Sequence, residues 1–287
     1  MKVDLHIHSN ISDGRLSPTE VVEFAHQNNL DIIALSDHDD VGGIDEAAQA
    51  CQKYGIKLIP AIEFTCSTRG EIEKLPQDLQ VHILGYNIDH QNTELVEMLA
   101  THRKRRIDKC KDIVKSLSEF GYNIEYDEIK LHARKRMRIA DITNHLKENV
   151  ENDENLNNCI KYLERDGFKD LRCYDFTMQN AIDIIHKFAG IAILAHPFIS
   201  YTDNTTEYLS NEDLDILLDY LCNSGIDGIE ADYLSFSHEQ KALLNKIAAE
   251  RNLTATIGSD FHGGVKRNAM ISEECKNKKE LEEKLWK

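Results

Sequence analysis

The sequence predicts an α/β protein: a distorted seven-stranded (β/α) barrel carrying a helical insertion. Three observations predict it. Short apolar runs alternate with amphipathic helical segments over residues 1–91 and again over 178–287. Between them, residues 92–177 are polar and helical without alternation. The residues able to hold metals gather where the apolar runs end, and barrels of parallel strands build their sites at the carboxyl ends of strands. The two flanking stretches are expected to form the barrel, and residues 92–177 a cap.

Residues 2–7 read as the first strand. Ser17-Pro-Thr-Glu20 is a capping box with Pro at the first helical position, and opens a helix to about Asn28. Asp31-Ile-Ile-Ala-Leu35 is the second strand, closed by Ser36-Asp37-His38-Asp39. Gly43 to Tyr54 is a helix ended by Gly55. Lys57-Leu-Ile-Pro-Ala-Ile62 is the third strand and ends at Glu63; Gln80 to Tyr86 is the fourth, with His82 near its start. One long helix is expected from about Asn92 to Phe120, and more helix from Tyr126 to about Asn149. Glu151-Asn-Asp-Glu-Asn-Leu-Asn-Asn reads as a surface loop. Alternation returns with a helix over Met178–Phe188 and a strand over Ile191–Ala195, ended by His196-Pro197. A helix over Asn211–Cys222, a strand over Ile226–Ala231 and a helix over Ser237–Arg251 follow. Thr254–Gly258 is the last strand, and a charged helix runs through Trp286. Seven strands alternating with helices imply a parallel sheet.

Composition narrows the class. A chain of 287 residues that is 41% hydrophobic and 29% charged is an ordinary soluble globular protein. No run approaches the ~18 apolar residues of a membrane helix, and no leader pattern stands at the start. Seven cysteines without a Cys-x-x-Cys pair point to reduced thiols and a cytoplasmic location. No obligate protein partner is evident. A net charge of −16 repels polyanions overall. Residues 101–147 run against that trend, with thirteen Lys/Arg against seven Asp/Glu. Arg103-Lys-Arg-Arg106 within them is either a solvated helical face or a basic lid over an anionic substrate.

Thirteen histidines are present. His26, His102, His145, His186 and His238 fall within helical patterns, and His90 and His132 near helix ends; these read as ordinary histidines. The other six lie in or at strands, most beside a carboxylate. His6 and His8 alternate on a strand and aim the same way. Ser36-Asp37-His38-Asp39 follows one apolar run, and Gly258-Ser-Asp260-Phe-His262 follows another. The ligand pairs at the two ends of the chain suggest a closed sheet whose first and last strands are neighbours.

The motifs Asp4-Leu-His6-Ile-His8-Ser, Ser12-Asp13-Gly14, Leu35-Ser-Asp37-His38-Asp39, Glu63, His82, Leu194-Ala-His196-Pro197 and Gly258-Ser-Asp260-Phe-His262 occur in an order that resembles the PHP (polymerase and histidinol phosphatase) family of metal-dependent phosphoesterases. The likeness is to its bacterial nucleotide and 3′,5′-nucleoside bisphosphate phosphatase branch. The resemblance implies three divalent ions, of the Mn²⁺, Fe²⁺ or Zn²⁺ type that mixed imidazole and carboxylate ligands suit. His6, His8, Glu63 and Asp260 would hold the first. Glu63, His82 and His196 would hold the second, and Asp13, His38 and His262 the third. The implied reaction is hydrolysis of a phosphomonoester of a nucleotide or nucleoside bisphosphate through a metal-bridged hydroxide, with Asp13, His38, His196 and Asp260 positioning it. Histidinol phosphate and short oligonucleotides, trimmed 5′–3′, are alternative substrates. A non-catalytic accessory role is the alternative of another class. Asp37 and Asp39 read either as partners that orient imidazoles or as turn residues. The resemblance also implies phosphate-binding arginines in the cap, matched by Arg136, Arg138 and Arg165, although the segment Arg136-Met-Arg138-Ile-Ala140 lacks the family's Pro and His.

Overall fold

The structure is a computed structural model. It describes residues 1–68, 72–75, 79–129, 137–151, 154–167, 171, 175–202, 205–263, 269–271 and 278–285. Strand β1 (Val3–Ile7) is followed by helix α1 (Pro18–Gln27), β2 (Ile32–Leu35), α2 (Ile44–Tyr54), β3 (Lys57–Ser67) and β4 (Gln80–Tyr86). The helical stretch holds α3 (Thr93–Ser116), α4 (Ile139–Asn149) and α5 (Glu154–Tyr162). Then come α6 (Met178–Lys187), β5 (Ile191–Leu194), β6 (Ile199–Thr202), β7 (Thr205–Tyr208), α7 (Asn211–Asn223), β8 (Gly228–Tyr233), α8 (His238–Glu250), β9 (Thr254–Gly258) and α9 (Lys278–Leu285).

Seven strands run side by side in the order β1-β2-β3-β4-β5-β8-β9. The sheet nearly closes: just past the ends of the two outer strands, His8 N–H donates to Phe261 O at 2.8 Å and Phe261 N–H donates to His6 O at 3.3 Å. The expected barrel class therefore holds, with its first and last strands adjacent. Asp4 reinforces the closure. Its buried carboxylate accepts from Ser259 N and Ile271 N, both at 3.0 Å. Burial pushes this carboxyl up to about 6, against the pull of those hydrogen bonds.

Alternate residues of neighbouring strands share one face of a sheet. Val3 and Leu5, Ile32 and Ala34, Ile59 and Ala61, Leu84 and Tyr86, and Ile193 and Ala195 form one buried cluster, the barrel interior. Leu281 and Leu285 of α9 complete it from below. Each leucine contributes roughly 1.5–3 kcal/mol by leaving water. Above this apolar layer, the same strand faces carry polar side chains.

Three expectations need correction. The sheet is not all parallel: β4 runs antiparallel to both β3 and β5. Among the described residues, the connection from β3 to β4 shows no crossover helix, and a parallel return requires a long crossover, usually a helix. A hairpin, β6–β7, fills the stretch before Asn211 to which the sequence assigned no element, and pairs with β4 through Tyr201 and Gln80. The Asn-rich stretch expected as a loop instead starts α5 at Glu154, which buries Leu156 and Cys159. Boundaries elsewhere agree within a few residues. Ser17 caps α1 with the full capping box, and Gly55 ends α2 at φ 70°. Of the helix expected from Tyr126 to about Asn149, the described residues show a 3₁₀ turn at Tyr126–Glu128 and α4 from Ile139.

Helix α3 links two apolar clusters. Leu95 and Leu99 pack into the large cluster that also includes Ile62, Phe64 and Ile182. Cys110, Ile113 and Val114 pack instead with Ile142, Leu146, Leu156 and Leu163 of the helical stretch. The helix thus packs into both clusters.

Gly228 sits where β8 and β9 approach most closely. A Cβ there would lie 2.3 Å from Thr254 O and 2.5 Å from Ile193 Cδ1. Gly228→Ala is predicted to lower unfolding free energy by about 1–3 kcal/mol, the scale of core overpacking. Urea unfolding measures it; an unchanged midpoint would contradict the close approach.

Candidate metal centre

Each strand delivers its polar side chains as it leaves the apolar layer. Glu63 and His82 lie on the same face as the interior residues Ala61 and Leu84, in register Glu63↔Leu84 and Thr65↔His82. Because β4 is antiparallel, the start of that strand meets the ends of its neighbours. That places His82, near the first residue of its strand, beside Glu63, where β3 runs on past the end expected at Glu63 as far as Ser67. Beyond β2, His38 pairs with Glu63 as an isolated parallel bridge. His196 follows β5, and Asp260 and His262 follow β9.

All nine predicted ligand side chains converge, and none is more than 12% exposed. Glu63 is at the centre. Its Oε1 lies 3.2 Å from His6 Nε2, 3.1 Å from His82 Nδ1 and 3.3 Å from His196 Nε2. Its Oε2 lies 3.1 Å from both His8 Nε2 and His38 Nδ1. Asp260 Oδ1 lies 3.2 Å from His8 Nε2 and 3.5 Å from His6 Nε2. Asp13 Oδ1 lies 3.1 Å from His262 Nε2 and 3.9 Å from His38 Nε2.

The donor set fits divalent cations. His6 Nε2 faces His8 Nε2 at 3.1 Å, an approach of two ring nitrogens that a shared cation reconciles. His8 Nδ1, Asp13 Oδ1 and Glu63 Oε2 are buried with no hydrogen-bond geometry to any protein group among the described residues. Such orphaned polar atoms are expensive unless an ion or water meets them. Donor atoms form three tight groups: His8, Asp13, His38 and His262; His6, His8 and Asp260; His38, Glu63 and His82. These groups share His8 and His38, where the resemblance implied sharing through Glu63. His196 stands outside them, though it touches Glu63.

Electrostatics supports the same fit. Burial raises the Glu63 and Asp13 carboxyls, but the surrounding imidazoles outweigh it and hold both well below the usual carboxylate range. Burial pushes His38 and His82 below the usual imidazole range despite Glu63. Burial also works against charge on His8, yet Asp260 and Glu63 prevail and push it up to about 9.

Neighbouring groups fix ring orientation. His6 Nδ1 lies 3.1 Å from Glu230 Oε1; a carboxylate only accepts, so Nδ1 carries the proton and Nε2 faces the pocket. Glu230 Oε2 also accepts from His196 N at 2.7 Å. This buried residue was not assigned a role from the sequence. Its signal was a carboxylate within the strand-like run Ile226-Asp-Gly-Ile-Glu-Ala231. His262 Nδ1 donates to Asp260 O at 2.8 Å, which frees Nε2 for Asp13. Asp37 takes the turn role: it accepts from Ser9 N, Ser9 Oγ and Ser12 Oγ at 2.8, 2.7 and 2.6 Å, anchoring the loop after β1. Asp39 Oδ1 accepts from Thr65 N at 2.9 Å.

Strain accompanies the site. His196, Asp260 and Asp39 hold φ of 28°, 57° and 51°, a left-handed region that side chains with a Cβ resist. Each costs on the order of 1–3 kcal/mol and persists only where surrounding contacts demand it.

The arginines expected from the cap do not reach this centre by any described contact. Arg138 stands at the N-cap position of α4, where its backbone N–H donates to Asp141 Oδ2 at 2.9 Å and its Nε lies 3.5 Å from the same oxygen. Arg165 is 78% exposed and pairs with Asp166 at 2.8 Å. Arg136 lies outside the described residues. The histidines read as ordinary have ordinary neighbours: His102 stacks on Phe176 at 4.2 Å, His186 pairs with Asp227 at 2.8 Å, and His26 packs on Tyr54.

Metal binding must displace the proton that His8 holds at neutral pH, so loading is predicted to release protons and to tighten as pH rises toward 9. Calorimetric titration of Mn²⁺ in buffers of different ionisation enthalpy reads the proton count. An affinity flat from pH 6 to 9 would contradict the prediction.

The comparisons with known proteins agree with this geometry. The family model of the PHP domain matches residues 4–259. The chain is 31% identical over 263 residues to a 5′-3′ exoribonuclease of Haemophilus influenzae, covering 91% of this chain and 90% of that one. It is 28% identical over 264 residues to a 3′,5′-nucleoside bisphosphate phosphatase of Chromobacterium violaceum, covering 91% and 87%. Among solved structures, an amidohydrolase from Chromobacterium violaceum with bound sulfate superposes with a TM-score of 0.71 at 24% identity over 99% of this chain and 96% of that one, a likeness of fold. A protein of proposed metal-dependent phosphoesterase activity from Bifidobacterium adolescentis superposes with a TM-score of 0.65 at 26% identity, covering 94% and 89%. A family model spanning most of the chain, and a buried centre built for cations, make this chain a member of the PHP domain family and a metal-dependent hydrolase of phosphoester bonds.

Proposed function

We propose that the chain hydrolyses a phosphomonoester of a nucleotide or nucleoside bisphosphate. The observation that carries the reading is the convergence of nine ligand-type side chains in one buried centre around Glu63, in a protein similar to a 5′-3′ exoribonuclease and a 3′,5′-nucleoside bisphosphate phosphatase. His6, His8, Asp13, His38, Glu63, His82, His196, Asp260 and His262 would hold divalent ions, which when bound would supply an activated water near neutral pH and a cationic seat for phosphoryl oxygens. We assign three ions of the Mn²⁺, Fe²⁺ or Zn²⁺ type. Three carboxylates, from Asp13, Glu63 and Asp260, offset half of the charge of three dications. The pocket stays cationic inside a chain of net charge −16 and so draws a phosphate dianion.

The protein's own groups do the positioning. Glu230 holds the His6 ring and the His196 backbone, so both imidazoles present fixed nitrogens. Asp37 pins the Ser9–Ser12 loop that carries Asp13 into reach of His262. Tyr233 donates to Asp260 Oδ2 at 3.2 Å and leaves Oδ1 toward the histidines. Preorganised groups of this kind need no rearrangement as charge develops on the phosphoryl group.

A second reading, 5′–3′ trimming of short oligonucleotides, draws support from the Haemophilus influenzae relative and its 31% identity. Substrates of both readings carry a phosphate beside a nucleoside. Free thiols at Cys51, Cys66, Cys110, Cys159 and Cys222 support a reducing, cytoplasmic setting. Among the described residues no helix is long and apolar enough to cross a membrane.

Phosphate release from a panel of nucleoside bisphosphates, mononucleotides, histidinol phosphate and a 5′-phosphorylated trinucleotide tests the reading, with the Mn²⁺-loaded protein. Turnover on a bisphosphate or mononucleotide is expected, and chelation should abolish it. Metal-loaded protein inert on every member would overturn it and favour a binding role. Asp260→Asn and His196→Ala should each reduce kcat by about a hundredfold or more while the far-ultraviolet circular dichroism stays native, the scale of losing a charged group that acts on the transition state. Turnover equal to the parent in either variant would refute the ligand assignment.

A further inference from the structure

Two hydroxyls stand inside the barrel where apolar side chains would pack as well. Tyr86 ends β4 and belongs to the interior cluster, fully buried. Thr256 of β9 is the register partner of Glu230 on β8, so these two side chains share one face. In the sheet, β5 and β8 separate β4 from β9. Because β4 starts at the metal centre and ends below it, the phenol approaches Thr256 and Glu230 across the barrel, from beneath.

Neither Tyr86 Oη nor Thr256 Oγ1 has a hydrogen-bond partner among the described residues. A buried hydroxyl left in that state is destabilising, and Phe and Val would fill the same space without the cost. Burial and the negative charge of Glu230 push the Tyr86 phenol well above its usual range; the nearby Thr256 hydroxyl, short of hydrogen-bond geometry, pulls the other way. The phenol therefore keeps its proton and needs an acceptor. Glu230 has room to accept. Its Oε1 and Oε2 take the proton of His6 Nδ1 at 3.1 and 3.3 Å, and Oε2 takes His196 N–H at 2.7 Å. A carboxylate offers about four acceptor sites. Polar groups spaced too widely for a direct bond are joined by water, which inside a protein takes roughly two to four polar partners.

We propose that one ordered water sits in the barrel interior under the metal centre, accepting from Tyr86 Oη, bonded to Thr256 Oγ1 and donating to Glu230. Tyr86 and Thr256 are then positioning residues. Through this water they fix the plane of the Glu230 carboxylate, which in turn fixes the His6 ring and the left-handed backbone at His196. The interior of the barrel, as well as its rim, shapes the cation pocket. The proposal rests on the reading of the rim as a metal centre and is independent of the substrate.

The test compares parent, Tyr86→Phe, Thr256→Val and the double variant. A crystal structure of the parent should show one water within hydrogen-bond distance of Tyr86 Oη, Thr256 Oγ1 and Glu230. In urea, each single variant should raise the unfolding equilibrium constant about fivefold, the scale of one net hydrogen bond. The double variant should lose less than the two singles together, because both release the same water. In metal-free protein the nuclear magnetic resonance signal of His6 Nδ1–H should move in both single variants. The Kd for Mn²⁺, read by calorimetry, should rise several-fold, less than the roughly 10–100-fold carried by direct partners of metal ligands. Single variants as stable as the parent or more so, or stability losses that simply add, would overturn the shared water. Stability losses with the His6 signal and the Mn²⁺ affinity unmoved would overturn the positioning role. None of these readouts needs turnover, so a protein inert on every phosphoester would strike the substrate reading alone.

Discussion

One carboxylate surrounded by five imidazoles governs this structure. Glu63 is fully buried and lies within 3.3 Å of ring nitrogens from His6, His8, His38, His82 and His196. Rings at such distances cannot all satisfy one another through two oxygens. Protonating several of them would bring like charges together in a dry pocket, and leaving them neutral would bury lone pairs without partners. Dications resolve the conflict, because every nitrogen and oxygen can then act as a ligand. The need for cations follows from the packing of this pocket before any relative is considered.

The barrel exists to bring those groups together. Its apolar interior fixes the height at which each strand emerges, and the closure between His6–His8 and Phe261 places the last strand beside the first. Asp4 ties that seam from within, and Gly258 makes room for it: a Cβ there would fall 2.1 Å from Glu230 Oε1 and 2.4 Å from His6 Cβ. The strained backbone at His196 and Asp260 is held by the same contacts. Fold stability and site geometry therefore depend on the same few residues, and the site stores part of the energy that the apolar layer supplies.

Much of this was legible in the sequence, for a physical reason. Apolar runs mark strands, and a His or carboxylate just past a run marks the rim of a barrel; that rule placed His38, Glu63, His196, Asp260 and His262. His82 broke the rule, since it stands near the start of its run. Its position makes sense only once β4 is antiparallel, and strand direction leaves no trace in the apolar pattern. The β6–β7 hairpin was missed because its strands are four residues each and sit in a polar stretch. Glu230 was seen but given no role, because its partners His6 and His196 are 224 and 34 residues away. Local charge density singled out the run Arg103–Arg106 as either a solvated face or a basic lid, whereas motif matching pointed to Arg136, which lies outside the described residues, and to Arg138 and Arg165, which stand at the start of α4 and face solvent.

The most direct test of the central claim is metal stoichiometry. Protein and its Glu63→Gln variant, both purified with native circular dichroism, are dialysed against Mn²⁺ and analysed by plasma mass spectrometry. Loss of the central carboxylate should lower the number of ions bound per chain, because Glu63 lies against five of the imidazoles. A variant that retains the parent's full metal content would contradict it and show that the imidazoles bind their ions independently of Glu63.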